Sequence, residues 1–325
     1  MSESNTKYLV SIVLTTYNRA NVLKKTIDSI LAQTYKNFEL IISDDCSTDD
    51  TAAICMDYEL ADFRVKYYRN EVNLRMPGNL NAALKRTKGE FVANLHDGDV
   101  YKPELIEKWL ECVQRDKDIL FVFNQYSEVD HNGRLLCVHN HYLEPINSGI
   151  VIRKYFFSTL SSAPWGTVMV RRVAYEKYGY FDEQYGFMSD VDMWLRLSTK
   201  GKVGYVSEPL IELTPREKNH KYFLPDATIL FQNYQILYNY FIMEKECVEI
   251  SEKYVSKKIK KDLKRKVITL IRNLSISRLR HFNYLIHKTD YTSLKILFAF
   301  IFLLGKTMPK GYNDDTWKLI CCKFR

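Results

Sequence analysis

Between residues 8 and 126, short apolar runs alternate with longer stretches in which apolar residues recur every three or four positions. The run "YLVSIVLTTY" (8–17) is rich in β-branched residues and reads as a buried strand. "RANVLKKTIDSILAQT" then sets Leu23, Ile27, Ile30 and Leu31 on one helical face. The same alternation continues through "FELIISDD" (strand), "STDDTAAICMDYEL" (helix, with Ser47, Asp49 and Asp50 at its start) and "RVKYYRN" (strand). It goes on through "PGNLNAALKRT" (short helix opened by proline), "EFVANL" (strand), "KPELIEKWLECVQRD" (helix) and "ILFVFNQY" (strand). Such alternation predicts an α/β fold with a mostly parallel central sheet covered by helices on both faces.

After Tyr126 the regularity fades. "VDHNGRLLCV" predicts a hairpin around Asn132-Gly133. "SSAPWGTVMVRRVAYEKYGYFDEQYG" is aromatic and irregular, "SDVDMWLRLSTKG" reads as a helix and "KVGYVSEPL" as a strand. From about Phe223 the pattern is helical and basic. The expected organisation is a domain over 1–222, divided at 125/126, and a C-terminal region over 223–325.

Charge sharpens that boundary. The net charge is +8, yet residues 251–325 carry 18 Lys/Arg against 5 Asp/Glu, so the first 250 residues are net acidic. The basic tail also holds apolar stretches, among them "ILFAFIFLLG" (296–305), about half of the roughly 20 residues needed to span a bilayer. That combination suits an interfacial segment on an anionic membrane surface; a helical subdomain with a solvated basic face is the other reading. The N-terminus shows no signal-peptide pattern and the seven cysteines have no C-x-x-C spacing. These features predict reduced thiols in a cytoplasmic protein, with peripheral contact at the cytoplasmic face of the inner membrane.

In parallel sheets ligands gather at the carboxyl ends of the strands. There the sequence puts Asp44-Asp45 after the second predicted strand and Asp97-Gly98-Asp99 after the fourth. Carboxylate oxygens suit Mg²⁺ or Mn²⁺, and glycine between them allows close backbone approach. Turn residues and helix caps are the plainer explanation for either pair taken alone.

Together, "SIVLTTYNR", "TIDSILAQTYKNFELIISDDCSTDDT", "KGEFVANLHDGD", "YGYFDEQYG" and "SDVDMWLRLSTKGKVGYVSEPL" resemble the family 2 glycosyltransferases, inverting nucleotide-sugar enzymes of the GT-A fold. The resemblance covers roughly Val10 to Leu213. It implies that Thr15 and Tyr17 cradle the nucleotide base, that Asp45 recognises uracil or ribose, and that Asp97 lies near the ribose and donor sugar. It further implies that Asp99 is the metal ligand and Asp190 the catalytic base, here preceded by Ser189 where relatives usually carry Glu. Arg75 falls where the family often has a loop near the diphosphate, and a cation there would stabilise it. Arg216 and His220, in "LTPREKNH", stand where relatives frequently have a diphosphate- or metal-binding histidine motif.

Other residues read more plainly. His96 is expected to be a packing neighbour, Asp192 an ion-pair partner of Arg196 at i+4, Trp194 core, and Trp165 an acceptor-side stacking platform. The implied activity is transfer of a sugar from a UDP-linked donor, with Mn²⁺ or Mg²⁺, to a glycan or lipid-linked acceptor in bacterial surface polysaccharide synthesis. Nucleotidyl transfer would call for a Gly-rich basic loop after the first strand, which "LTTYNRANVLKK" lacks. Nucleic-acid binding would call for aromatic platforms among the basic residues, so no nucleic-acid partner is expected; oligomerisation is left open.

Overall fold

A computed structural model describes residues 7–130, 132–141, 143–159 and 167–213, with residue 236, all within one compact unit. The expectations for residues 223–325, Trp165, Arg216 and His220 lie outside the described residues.

The first half follows the predicted alternation: β1 (Val10–Thr16), α1 (Ala20–Leu31), β2 (Phe38–Asp44), α2 (Thr51–Ala61), β3 (Val65–Arg69), α3 (Arg75–Leu84), β4 (Phe91–His96), β5 (Val100–Tyr101) and α4 (Leu105–Gln114). Then come β6 (Ile119–Val129), β7 (Leu135–His139), β8 (Ile146–Asn147), α5 (Gly149–Thr159), β9 (Val168–Arg171) and α6 (Arg172–Tyr178). A 3₁₀ segment (Glu183–Met188), α7 (Ser189–Ser198) and β10 (Lys202–Leu213) complete the order.

The strands form a single mixed, largely parallel sheet in the order β3-β2-β1-β4-β9-β6-β10-β5, with β7 added on β6 and β8 on β10. β1 is parallel to β2 and β4, and β6 to β10, while β9 runs antiparallel to both β4 and β6. β1–β4, β6 and β10 therefore point the same way, and their carboxyl ends share one edge.

Strand periodicity divides the core between two faces. Val10, Ile12 and Leu14 of β1, with Phe91, Ala93 and Leu95 of β4, face Leu23, Ile27 and Ile30 of α1 and Trp109 of α4. On the other face Val13, Val92, Phe121 and Phe123 meet Leu80 and Leu84 of α3, Tyr175 of α6 and Trp194 of α7. Trp194 is fully buried, with its ring 5.3 Å from that of Phe121 and 5.7 Å from that of Phe181, as expected of a core residue.

The irregular aromatic stretch turns out to contain β9 and α6. Four residues are too few to display an alternation, yet β9 does alternate: Met169 packs on the α1/α4 face and Val168 and Val170 on the other. The Asn132-Gly133 hairpin forms as expected. Gly133 takes φ 79°, and the Asp130 carboxylate accepts from the amides of Asn132 and Arg134 (both 2.9 Å). α5 and α7 meet backbone to backbone: a methyl group on Gly149 would lie 1.6 Å from the Ser198 carbonyl oxygen.

Candidate functional site

Asp97-Gly98-Asp99 forms the turn between β4 and β5, and its neighbours fix it from three sides. Gly98 adopts φ 90°, a conformation L side chains rarely take. From α1, the Thr26 hydroxyl accepts the Gly98 amide (3.0 Å) and donates to the Asp99 carbonyl (2.8 Å). The Tyr101 hydroxyl closes the turn, accepting from the His96 amide (2.7 Å) and donating to the His96 carbonyl (2.9 Å). Both carboxylates are nearly buried, Asp97 at 8% exposure and Asp99 at 9%. Two acids so placed repel one another, and the Arg19 guanidinium offsets this, its Nε lying 3.5 Å from Asp97 Oδ1. Arg19 also covers the turn: a methyl group on Gly98 would fall 2.6 Å from its Nη2.

The neighbouring edge belongs to β1, β2 and β3. Register pairs Thr15 with Ser43 and His96, and Thr16 with Asp44, so Thr15, Tyr17, Asp45 and Asp97 come from strand ends that are adjacent in the sheet. Asp45 is buried, and its carboxylate holds the chain that enters α3. Oδ1 accepts from the Leu74 amide (2.8 Å) and Asn70 Nδ2 (3.0 Å), and Oδ2 accepts from the Arg75 amide (2.8 Å). Behind it Asn79 accepts from Ser43 Oγ (2.7 Å) and Asn70 Nδ2 (2.9 Å), a buried network joining β2 to α3. Arg75 itself is exposed at a left-handed φ of 60°, and the regular helix starts at Pro77, as the sequence predicted.

Asp44 is fully buried and serves its own loop, accepting from the Ser47 amide (2.9 Å) and the Tyr67 hydroxyl (2.8 Å). Burial and that carboxylate together raise the Tyr67 phenol pKa. Asp49 accepts from the amides of Ala20 and Thr51 (both 3.1 Å) and from the Thr51 hydroxyl, tying the start of α1 to the start of α2. Burial pushes the Asp49 pKa up, but these hydrogen bonds outweigh it and leave the carboxyl below its usual range. Asn18, left-handed at φ 51°, donates its amide to Ser47 Oγ (2.9 Å) and accepts from the Thr48 amide (2.7 Å).

Asp190 is the second residue of α7, half-buried, with Oδ1 accepting from the Val191 amide (2.8 Å). Ser189 before it is fully buried, with no hydrogen-bond partner for its hydroxyl among the described residues. The approach to α7 is held by two side chains. Asn81 of α3 donates to the Phe181 carbonyl (2.8 Å) and accepts from its amide (3.1 Å). Arg196 donates to the carbonyls of Tyr178, Gly179 and Tyr180 and pairs with Asp192 at 3.1 Å, the expected i+4 partnership. α3 thus carries both ends of a brace: Asp45 grips its start, and its Asn81 grips the chain that leads to Asp190.

A sequence profile described as "Glycosyl transferase family 2" matches residues 11–179, half of the chain. The chain belongs to this family. It is 32% identical over 203 residues to TuaG of Bacillus subtilis, whose name assigns it to teichuronic acid biosynthesis, covering 62% of this chain and 77% of TuaG. It is 31% identical over 217 residues to an uncharacterized glycosyltransferase of Rickettsia typhi, covering 65% of each. The match thus spans just under two thirds of that relative, and 63% of a similar one from Rickettsia prowazekii. Among solved structures, Staphylococcus aureus TarS in complex with UDP-GlcNAc superposes with a TM-score of 0.63 at 18% identity, over 85% of this chain and 79% of that one. That likeness carries the GT-A-like fold.

From the sequence of this family 2 member, Thr15, Tyr17, Asp45, Arg75, Asp97, Asp99 and Asp190 are expected at the site, whereas Arg19 and Asn81 are not singled out. Arg19 closes the quoted "SIVLTTYNR"; a lone arginine after a strand gives no sign that it will reach the turn after β4. The donor chemistry of the β4–β5 turn fits a hard cation. Asp97 and Asp99 offer oxygens only, and among the described residues no third His, Cys, Asp or Glu completes a ligand-sized group with them. A cation there would draw its other ligands from substrate phosphates and water. Among the described residues no helix is long and apolar enough to cross a membrane.

Proposed function

We propose that the protein is an inverting glycosyltransferase that moves a sugar from a UDP-linked donor to a hydroxyl of a glycan or lipid-linked acceptor in bacterial surface polysaccharide assembly. The observation that carries this reading is the rigid, nearly buried Asp97-Gly98-Asp99 turn beside the carboxyl ends of β1 and β2 in a family 2 chain. The name of TuaG and the UDP-GlcNAc complex of TarS support the polysaccharide setting and the donor class.

In this reading Thr15 and Tyr17 cradle the base and Asp45 meets uracil or ribose from the β2 end. Asp97 lies by the ribose and donor sugar, where Arg19 holds its charge in place. Asp99 is the residue that would hold Mn²⁺ or Mg²⁺, whose contribution when bound is to neutralise charge on the leaving diphosphate. Arg75, exposed on the loop that Asp45 fixes, is free to turn toward the diphosphate. Asp190 takes the proton from the incoming acceptor hydroxyl, which lets that oxygen attack the sugar carbon as the diphosphate departs from the opposite face. The basic C-terminal region docks on an anionic membrane surface near a lipid-linked acceptor.

The test is a thermal-shift series with UDP, with and without Mn²⁺, followed by a screen of nucleotide sugars for transfer or hydrolysis. Stabilisation by UDP that grows with Mn²⁺, together with turnover of one UDP-sugar, is the expected result. Indifference to every nucleotide would sink the reading. For the tail, loss of anionic-liposome binding on truncation is expected, and identical behaviour of both forms would remove the membrane role.

A further inference from the structure

The β6–β7 hairpin brings together three side chains that the donor and acceptor chemistry does not use. Cross-strand register sets Glu128 directly opposite Cys137, and Tyr126 opposite His139. Cys137 and His139, two residues apart, share one face of β7. Cys137 Sγ lies 3.2 Å from His139 Nε2 and 3.6 Å from Glu128 Oε2, while His139 Nε2 lies 3.1 Å from Glu128 Oε1. The Tyr126 ring stacks on the imidazole, centroids 4.4 Å apart and 16° between planes, which constrains the plane of the His139 ring.

A catalytic Cys–His–acid relay can be set aside on this geometry. A relay uses both ring nitrogens, one toward the nucleophile and the other toward the acid. Here the thiol and the carboxylate converge on the same nitrogen, Nε2. Three ligand atoms of different type around one centre is instead the arrangement of a metal site. Bonds of about 2.3 Å to sulfur and about 2.0–2.2 Å to nitrogen and oxygen in a tetrahedral site put ligand atoms about 3.3–3.6 Å apart. The observed separations of 3.1, 3.2 and 3.6 Å need only small side-chain adjustments to match.

We propose that Glu128, Cys137 and His139 form a binding site for one borderline-soft divalent cation of the Zn²⁺ class, with water as fourth ligand. Thiolate and imidazole select against Mg²⁺ and Mn²⁺, so the site is chemically separate from the all-oxygen turn at Asp97–Asp99. Glu128 and His139 side chains are each 38% exposed, which leaves the fourth position open to water. The cation has a structural use. β7 buries little: Leu135, Leu136, Cys137 and Val138 are all exposed, so apolar burial does little to hold this hairpin on the sheet. A bond from each strand to one ion clamps the end of β6, where Glu128 also pairs with Leu213 of β10. Cysteine spacing could not reveal the site, because it is assembled across a hairpin rather than along the chain.

The test uses the full chain, stripped of metal and reduced, titrated with Co²⁺ as a spectroscopic stand-in. A near-ultraviolet thiolate-to-Co²⁺ charge-transfer band is expected, displaced by Zn²⁺ and unaffected by Mn²⁺. Cys137→Ser should abolish the band and Cys46→Ser should leave it. Outer partners of metal ligands already matter about 10–100-fold, so His139→Ala, which removes a ligand, should weaken Zn²⁺ binding by at least about 100-fold. Absence of the band in the parent chain, or an undiminished band in Cys137→Ser, would overturn the proposal. Cys137 is exposed and the His139 side chain is 38% exposed, so thermal melting of these two variants without metal should stay close to the parent and keep the result interpretable.

Discussion

The edge at the carboxyl ends of β1 and β2 and the approach to α7 solve the same problem with different chemistry. At the carboxyl ends of β1 and β2, acids organise loops by accepting backbone amides: Asp44 takes Ser47, Asp45 takes Leu74 and Arg75, Asp49 takes Ala20 and Thr51. Before α7, side-chain donors hold most of the chain by backbone carbonyls, Arg196 those of Tyr178, Gly179 and Tyr180 and Asn81 that of Phe181, whose amide Asn81 also accepts. The contrast teaches that an acid at a strand end is no guide to ligand binding until its amides have been traced. Asp45 carries architecture whatever else it does; at Asp190 the bond from the Val191 amide spans adjacent residues.

The strongest way to break this comparison is Asp190→Asn. General acid–base roles contribute about 10²–10⁴-fold, so turnover should fall by that much while UDP affinity and melting temperature stay near those of the parent. Substantial remaining turnover would overturn the proposed role of Asp190 as base. Asp45→Ala should do the reverse in kind: it removes the acceptor of two part-buried amides and of the buried Asn70 side chain, costing about 1–3 kcal/mol in urea unfolding before any activity is measured. An unchanged midpoint would show that the loop into α3 does not depend on its carboxylate.

Smaller effects sharpen the picture. Gly98→Ala forces a side chain into φ 90° and against Arg19, and should cost about 1–3 kcal/mol together with weaker Mn²⁺-dependent UDP binding. A change in stability alone would separate the turn from the proposed donor site. The least effect is expected from pH. Asp49 has a folded pKa below the reference of 3.8, so its contribution is present above that value and is lost as pH falls through the depressed folded one. The stability gap between the parent and Asp49→Asn should therefore narrow as pH falls below 3.8, and a gap that stays constant with pH would deny the clamp.

Legibility followed the length of each signal. α1 and α4 show several turns of apolar periodicity and β1, β2, β4 and β6 are long enough to read, so the parallel framework and its acid-bearing edge were visible in the chain. β9, at four residues, and α6, at seven, were not, because neither repeats its pattern enough to rise above the aromatic surroundings. Trp194 and the Asp192–Arg196 pair were readable from helical spacing alone. Arg19 and Asn81 were not, since each acts on a segment remote in sequence: Arg19 on Asp97, and Asn81 on Phe181.

The reversed strand β9 has one more consequence. In the sheet, everything that links the β1–β4 half to the β6–β10 half passes through Val168–Arg171, hydrogen-bonded on both flanks. A slip of one residue there would exchange Met169 with its valine neighbours and put each on the wrong side of the protein. That short strand is therefore the seam along which the two parts of the sheet are joined.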